Sequence, residues 1–178
     1  PQKPEYGNNS IITNNKEHKQ HTIEGSIYAT YKDYFLRDFH YNIALKGDLY
    51  SDLKGFIYPA LNPHATFAYD NRRSGRIELC YSLQHQYLLN CGFTGLGMPV
   101  EFWISANNKY KPQYAHHFQL SYKRELFNGK YDLNIEIYYK KLYNQVEYNG
   151  SPLDILNKEY SLDRIMIVGD GYNYGSNI

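Results

Sequence analysis

The chain has 178 residues, enough for one domain, and carries a formal net charge of +1. Its lysines and arginines are scattered rather than clustered, which excludes a nucleic-acid binder built on a basic patch. Mean hydropathy is -0.67, and no apolar run approaches the ~18 residues of a membrane-spanning helix. That leaves open a spanning β-barrel, in which only alternate residues face lipid.

Residues 1–20 are polar, rich in Asn and Lys, and read as a loop. From His21 to Lys32 the alternation is clean. Ile23, Gly25, Ile27, Ala29 and Tyr31 share one face, and Thr22, Glu24, Ser26, Tyr28 and Thr30 share the other. A period of two is that of a strand with one apolar and one wet face. A second strand runs from about Phe39 to Leu49, with Phe39, Tyr41, Ile43, Leu45 and Leu49 opposite His40, Asn42, Lys46 and Asp48. A third is expected from about Ala60 to Tyr69, its start weakened by Pro59 and Pro63, since proline donates nothing to the ladder. The run Asn71–Gly75 is a tight turn. A fourth strand follows, with Ile77, Leu79, Tyr81 and Leu83 on its apolar side.

Residues from Leu88 to Gln113, with three glycines, two prolines and the only tryptophan, break the alternation and predict a long loop. Next, Tyr114 to Tyr148 reads as two long alternating segments around Asn128-Gly129, the signature of a hairpin. Its strands exceed the ~5–6 residues usual in soluble sheets and match the ~9–11 a tilted strand needs to cross a bilayer. A second long loop runs from about Asn149 to Val168, and Gly169-Asp170-Gly171 begins a seventh strand. Short turns thus alternate with longer excursions, as in an outer-membrane barrel with periplasmic turns and external loops. Tyrosine accounts for 21 residues. Its apolar ring and wet hydroxyl suit the lipid–water boundary, though they favour any strand.

Few residues suggest chemistry. His116 and His117 are adjacent on a strand and point to opposite faces, so they do not bind one ion from one side. The carboxylates lie mostly on polar faces, with no GxSxG and no Ser-His-Asp pattern, so no catalytic residue is expected. GDGYNYG lacks the nucleotide-binding spacing and reads as strand entry. Cys80 and Cys91 would lie ~35 Å apart on an extended chain, at ~3.3 Å per residue, and are expected as free thiols. No metal or cofactor is called for. The long loop is where a ligand would be met. Trp103, Tyr110 and Tyr87, with Asn107 and Asn108, combine aromatic faces with amides, as suits sugars, peptides or siderophores. The plainer reading has Trp103 packing the loop onto a rim or belonging to an aromatic belt, and Tyr138, Tyr139 and Tyr143 forming an outer girdle.

From Pro99 onward, PVEFWISANNKYKPQYAHHFQLSY, ELFNGKYDLNIEIYYKKLYNQVEYNGS and GDGYNYG resemble the TonB-dependent outer-membrane receptors of Bacteroidota. Gly169, Gly171, Tyr174 and Gly175 fit that family's strand-opening Gly-x-Gly-x-x-Tyr-Gly element, and NPHATFAYD resembles the preceding strand. The resemblance implies an all-β, antiparallel up-and-down meander within a large transmembrane barrel of roughly 22 strands. On this reading residues 1–178 are a fragment of seven strands, without the plug domain and the closing strands. It further implies a receptor in the Gram-negative outer membrane that takes up a bulky nutrient, works with the TonB energy-transducing complex, contacts lipid and, in some members, pairs with a surface lipoprotein. A soluble or surface β-sheet binding module and a small self-closed outer-membrane barrel are the alternatives. They are separated by whether Ile23, Ile27, Ile43, Leu45, Leu79, Leu133 and Ile135 are hidden or open.

Overall fold

The computed structural model describes residues 21–93, 100–127, 129–149 and 166–178. It is all-β and antiparallel. The strands are β1 (Ile23–Leu36), β2 (Phe39–Ser51), β3 (Ile57–Asn71), β4 (Gly75–Gln86), β5 (Leu88–Phe93), β6 (Val100–Ser105), β7 (Gln113–Leu126), β8 (Tyr131–Tyr148) and β9 (Met166–Asn177). Seven of them form one sheet in the order β1-β2-β3-β4-β7-β8-β9, and β5 and β6 pair separately. Among the described residues β1 and β9 are edges, and the sheet does not close on itself.

The seven strands of the large sheet are those the alternation predicts. β2 and β3 run longer than the pattern marks, β8 has the bounds it marks, and β9 begins at Met166, within the stretch expected as loop to Val168. The loop expected from Leu88 to Gln113 is corrected: it contains the β5–β6 hairpin. The third strand starts at Ile57 and carries Pro59 and Pro63 within it. The prolines leave a mark on the pairing. The β3–β4 ladder stops at His64↔Ser82, and Pro59 and Pro63 lie beyond that last pair, where a missing N–H removes nothing from it.

Connections of few residues join β1 to β2, β3 to β4 and β7 to β8 at one end of the sheet, here called the turn end. The longer connections gather at the other, the loop end. The turn after β3 is built by its own residues. Asn71 Oδ1 accepts from the backbone N–H groups of Arg73 (2.9 Å) and Ser74 (3.3 Å), and Gly75 closes the turn at φ +90°. A Cβ on Gly75 would stand 2.5 Å from the Lys123 carbonyl oxygen, so only glycine allows β4 to enter this close to β7.

The register sorts side chains onto two faces. Tyr41↔Phe67, Ile43↔Ala65, Phe67↔Leu79, Leu79↔Leu120 and Leu120↔Ile137 share one face. This apolar face is open: Ile27 is 78% exposed, and Ile43, Leu45, Leu61, Phe67, Leu79, Phe118 and Ile137 are all exposed. Leu133 and Ile135 are half-buried. The other face holds a polar network. Asn62 Nδ2 donates to Asp48 Oδ2 at 2.6 Å. Lys46 Nζ lies 3.0 Å from Asp48 Oδ1 and 3.9 Å from Glu24. Nearer the turn end, Arg76 pairs with Glu78 and Asp70. The Asp48 side chain is only 1% exposed, a burial tolerable for a charge because a cation and an amide meet both its oxygens.

Tyr139 lies on the apolar face, opposite Phe118. Tyr138 does not share its side. Adjacent residues in a strand alternate, and Tyr138 stands opposite Gln119 and Gly175. Its ring lies over Gly175, where a Cβ would meet the Tyr138 hydroxyl at 2.7 Å. The expectation that Tyr138 joins an outer girdle is thus corrected by parity.

Candidate functional site

The loop end is organised by the β5–β6 hairpin. Its short strands alternate like the long ones. Leu89 pairs with Ile104 and Asn90 with Trp103. Leu89 and Cys91 are fully buried, and Ile104 packs beside them on Tyr110, Val146 and Met166. The hairpin therefore rests on β8 and β9. Burying each aliphatic side chain here is worth about 1.5–3 kcal/mol. Cys91 sits inside this core, and burial pushes its thiol pKa up. Both cysteines are free.

A second cluster anchors the hairpin base. Tyr50, Ala60, Tyr87 and Ala106 are buried together, with Phe56 and Tyr58 alongside. The Tyr87 ring stacks on Tyr50, with centroids 4.8 Å apart and planes 5° from parallel. The Tyr50 hydroxyl donates to the Ala106 carbonyl at 2.9 Å, and the Ala106 N–H donates to the Tyr87 carbonyl at 2.8 Å. The Tyr87 hydroxyl is buried near the Asp48 carboxylate and makes no hydrogen bond of good geometry among the described residues. Burial, reinforced by that carboxylate, pushes its pKa up. His85 fills the space where β3 and β4 part, its Nδ1 2.7 Å from Asn62 Oδ1.

Asn107 shapes the exit from the hairpin. Its Oδ1 accepts from the N–H groups of Lys109 (2.8 Å) and Tyr110 (3.0 Å), and its Nδ2 donates to the Ser105 carbonyl at 3.1 Å. This is the local bonding by which asparagine replaces a backbone turn.

The five residues expected to meet a ligand are thus brought into one region but given different surroundings, Asn108 being exposed. Tyr87 and Tyr110 are each 5% exposed. As open aromatic platforms they are corrected: their rings are spent on packing the hairpin, because a large apolar ring gains most where water is excluded. Asn107 is occupied with the backbone. Trp103, 55% exposed, keeps an open surface and, adjacent to Ile104 in β6, points to the opposite side of the hairpin. Sequence reasoning missed Leu88 and Asn90, which are exposed with it, and the alternation of Leu88-Leu89-Asn90-Cys91 was the signal that could have found them.

Beside Asn90 lies an open cleft of about 550 Å³, lined by residues that include Gln113, Gln145, Glu147, Asp170 and Tyr172. A bulge in β8 shapes it. The register shifts between Leu142 and Gln145, and Asn144 takes φ +54°. The Asn144 N–H donates to Asp170 Oδ1 at 3.1 Å, and its side chain donates to the Pro112 carbonyl at 3.0 Å. Bulges re-aim side chains in this way. Amides, carboxylates and a tyrosine offer hydrogen bonds but no nucleophile paired with a base. Among the described residues no three His, Cys, Asp or Glu side chains cluster to hold a metal ion.

No protein-family model matches the chain, and no curated protein and no solved structure matches it.

Proposed function

We propose that this chain forms wall and external loops of an outer-membrane β-barrel, in a receptor of the TonB-dependent kind that takes up a bulky nutrient. The observation that carries the reading is the open apolar face. Ile23, Ile27, Ile43, Leu45 and Leu79, which a water-soluble sheet would hide, are 47–78% exposed, while charges and amides pair on the opposite face. A continuous apolar surface of this extent marks contact with lipid or a partner. From Phe39 to Leu49 the chain spans about 33 Å at ~3.3 Å per residue. With the 35–45° tilt of barrel strands this covers roughly 23–27 Å, the height of an outer-membrane apolar band. Among the described residues β1 and β9 are unpaired edges, which leaves room for further strands.

In this arrangement the turn end faces the periplasm and the hairpin faces outside. Trp103 and the cleft beside Asn90 would meet the nutrient, be it siderophore, glycan or peptide. TonB supplies the energy for its passage, and a surface lipoprotein is a compatible partner. No step is catalytic.

The test is a nitroxide scan of the full-length protein in its membrane, with single cysteines at Ile43, Leu45 and Leu79 against Asn42, Thr66 and Glu78. The first set should collide with oxygen and the second with a water-soluble nickel chelate. Loss of this two-residue period would overturn the membrane reading. Cross-linking of the full-length protein to TonB in cells tests the receptor assignment. A wall with lipid periodicity but no cross-link would be a barrel of another kind.

A further inference from the structure

The cleft beside Asn90, about 550 Å³ in volume, has a polar lining of one electrical sign. It includes the amides of Asn90, Gln113 and Gln145 and the carboxylates of Glu147 and Asp170, and among the described residues no lysine, arginine or histidine lines it. Glu147 is exposed and, among the described residues, in no ion pair. Asp170 is exposed too. Its Oδ1 accepts from the Asn144 N–H at 3.1 Å, and among the described residues no cation meets its charge. Lys141 pairs with Tyr172 across the β8–β9 ladder, but its Nζ lies over the Tyr143 ring, 5.7 Å from the centroid, and takes no part in the lining. The floor of the cleft is bare. Gly169 and Gly171 of β9 line it and stand opposite Gln145 and Leu142, and a Cβ on Gly169 would meet nothing within 4 Å. Glycine inside a strand marks such places of close backbone approach.

A ligand that fills this cleft strips water from two carboxylates. A neutral ligand leaves them desolvated and unpaired, which is costly, and an anionic one adds repulsion to that cost. Only a ligand that brings its own cation removes the penalty. The three amides each offer a donor and an acceptor, as a peptide group does, and the glycine floor admits an extended main chain. We infer that the cleft binds a short basic peptide, with a lysine-type ammonium at Glu147 and Asp170 and the peptide groups at Asn90, Gln113 and Gln145. The inference rests on the reading of this cleft as the place where the nutrient is met, and it selects one class among the nutrients named there.

Calorimetric titration of the full-length protein in detergent tests it. The probes are the acetylated, amidated pentapeptide Gly-Lys-Gly-Lys-Gly and the same peptide with glutamine or glutamate in place of lysine. The lysine peptide should bind about tenfold or more tighter than the glutamine peptide, with the glutamate peptide weakest. The double variant Glu147→Gln/Asp170→Asn keeps an acceptor for the Asn144 N–H and should bring the lysine and glutamine peptides to parity. Gly169→Leu, which projects into the cleft without striking protein atoms, should weaken the lysine peptide with both carboxylates present. Equal binding of the lysine and glutamine peptides by the wild-type protein, or a lysine preference that survives the double variant, would overturn the proposal. So would a fully deacetylated chitotriose that displaces the lysine peptide at equal concentration, since the site would then be one for amino sugars. A missing lysine preference alongside the nitroxide period and the TonB cross-link sinks this inference alone; a missing period and cross-link sink the receptor reading instead.

Discussion

The wall and the hairpin of this protein are built from the same alternating code and stabilised in opposite ways. In the wall, apolar residues of β1–β4 and β7–β9 stand open on one face, and polar residues meet one another on the other. In the hairpin, Leu89 and Cys91 are sealed under Tyr110, Val146 and Met166, and Tyr87 is stacked on Tyr50. The hairpin and its seat therefore carry a core that works in water. The wall carries none of its own, and its apolar side chains gain free energy only from a surrounding that is itself apolar. One pattern thus has two outcomes, and what differs is whether another element covers the apolar side.

Single substitutions test that contrast. The largest effect is expected from Tyr87→Ala, which empties the stack on Tyr50 and should cost about 3–5 kcal/mol, the range for aromatic truncation in a core. Hydrogen exchange should show the hairpin amides opening while Phe67 and Leu79 stay protected. Equal opening of both regions would mean that they are one cooperative unit. Tyr87→Phe should change stability by less than about 1 kcal/mol, because the hydroxyl it removes has no well-formed bond to lose.

Next comes Leu79→Arg in the wall. In a bilayer it should destabilise by about 2–4 kcal/mol, the cost of an arginine near the midplane of a barrel. The same variant at Trp103, exposed on the hairpin, should cost less than about 0.5 kcal/mol. Denaturant titration of the protein in vesicles compares them, and indifference at Leu79 would argue that the face is wet.

Smaller still is Gly175→Ala. The added Cβ forces the Tyr138 ring to move, with an expected loss of about 1–3 kcal/mol. Adding Tyr138→Ala should recover part of it, which a double-mutant cycle would read.

The mildest probe is chemical. Cys91 should react with iodoacetamide far more slowly than the half-buried Cys80, because burial both hides the thiol and holds it protonated. The sign of the pH effect follows. With the folded pKa above the unfolded one, the unfolded chain releases its proton first, so stability is full below the unfolded pKa and falls as pH rises above it. Unfolding midpoints measured on either side of the thiol's ordinary pKa should decline on the alkaline side, and Cys91→Ala should abolish that part of the slope.

Much of the wall was legible in the chain. The period of two in Ile23–Tyr31 and Phe39–Leu49 fixed both the strands and the facing of their side chains, because a strand has only two sides. Asn71, Gly75 and Gly129 marked turns through local bonding and positive φ. The loop region was less legible. Leu88–Cys91 and Trp103–Ser105 are too short, and separated by too many glycines and prolines, for alternation to stand out. Tyr87 and Tyr110 could not be distinguished from open platforms, since a tyrosine in a loop has the same letters whether its ring is stacked or bare.

Local sterics and side-chain periodicity alone specify an antiparallel β protein with one apolar and one polar face. That the apolar face of the wall stays open while that of the hairpin is closed follows from the three-dimensional arrangement. Closure depends on which distant segments meet, Tyr50 with Tyr87 and Leu89 with Val146, and those meetings are set by the folding of the whole sheet, not by any run of neighbours.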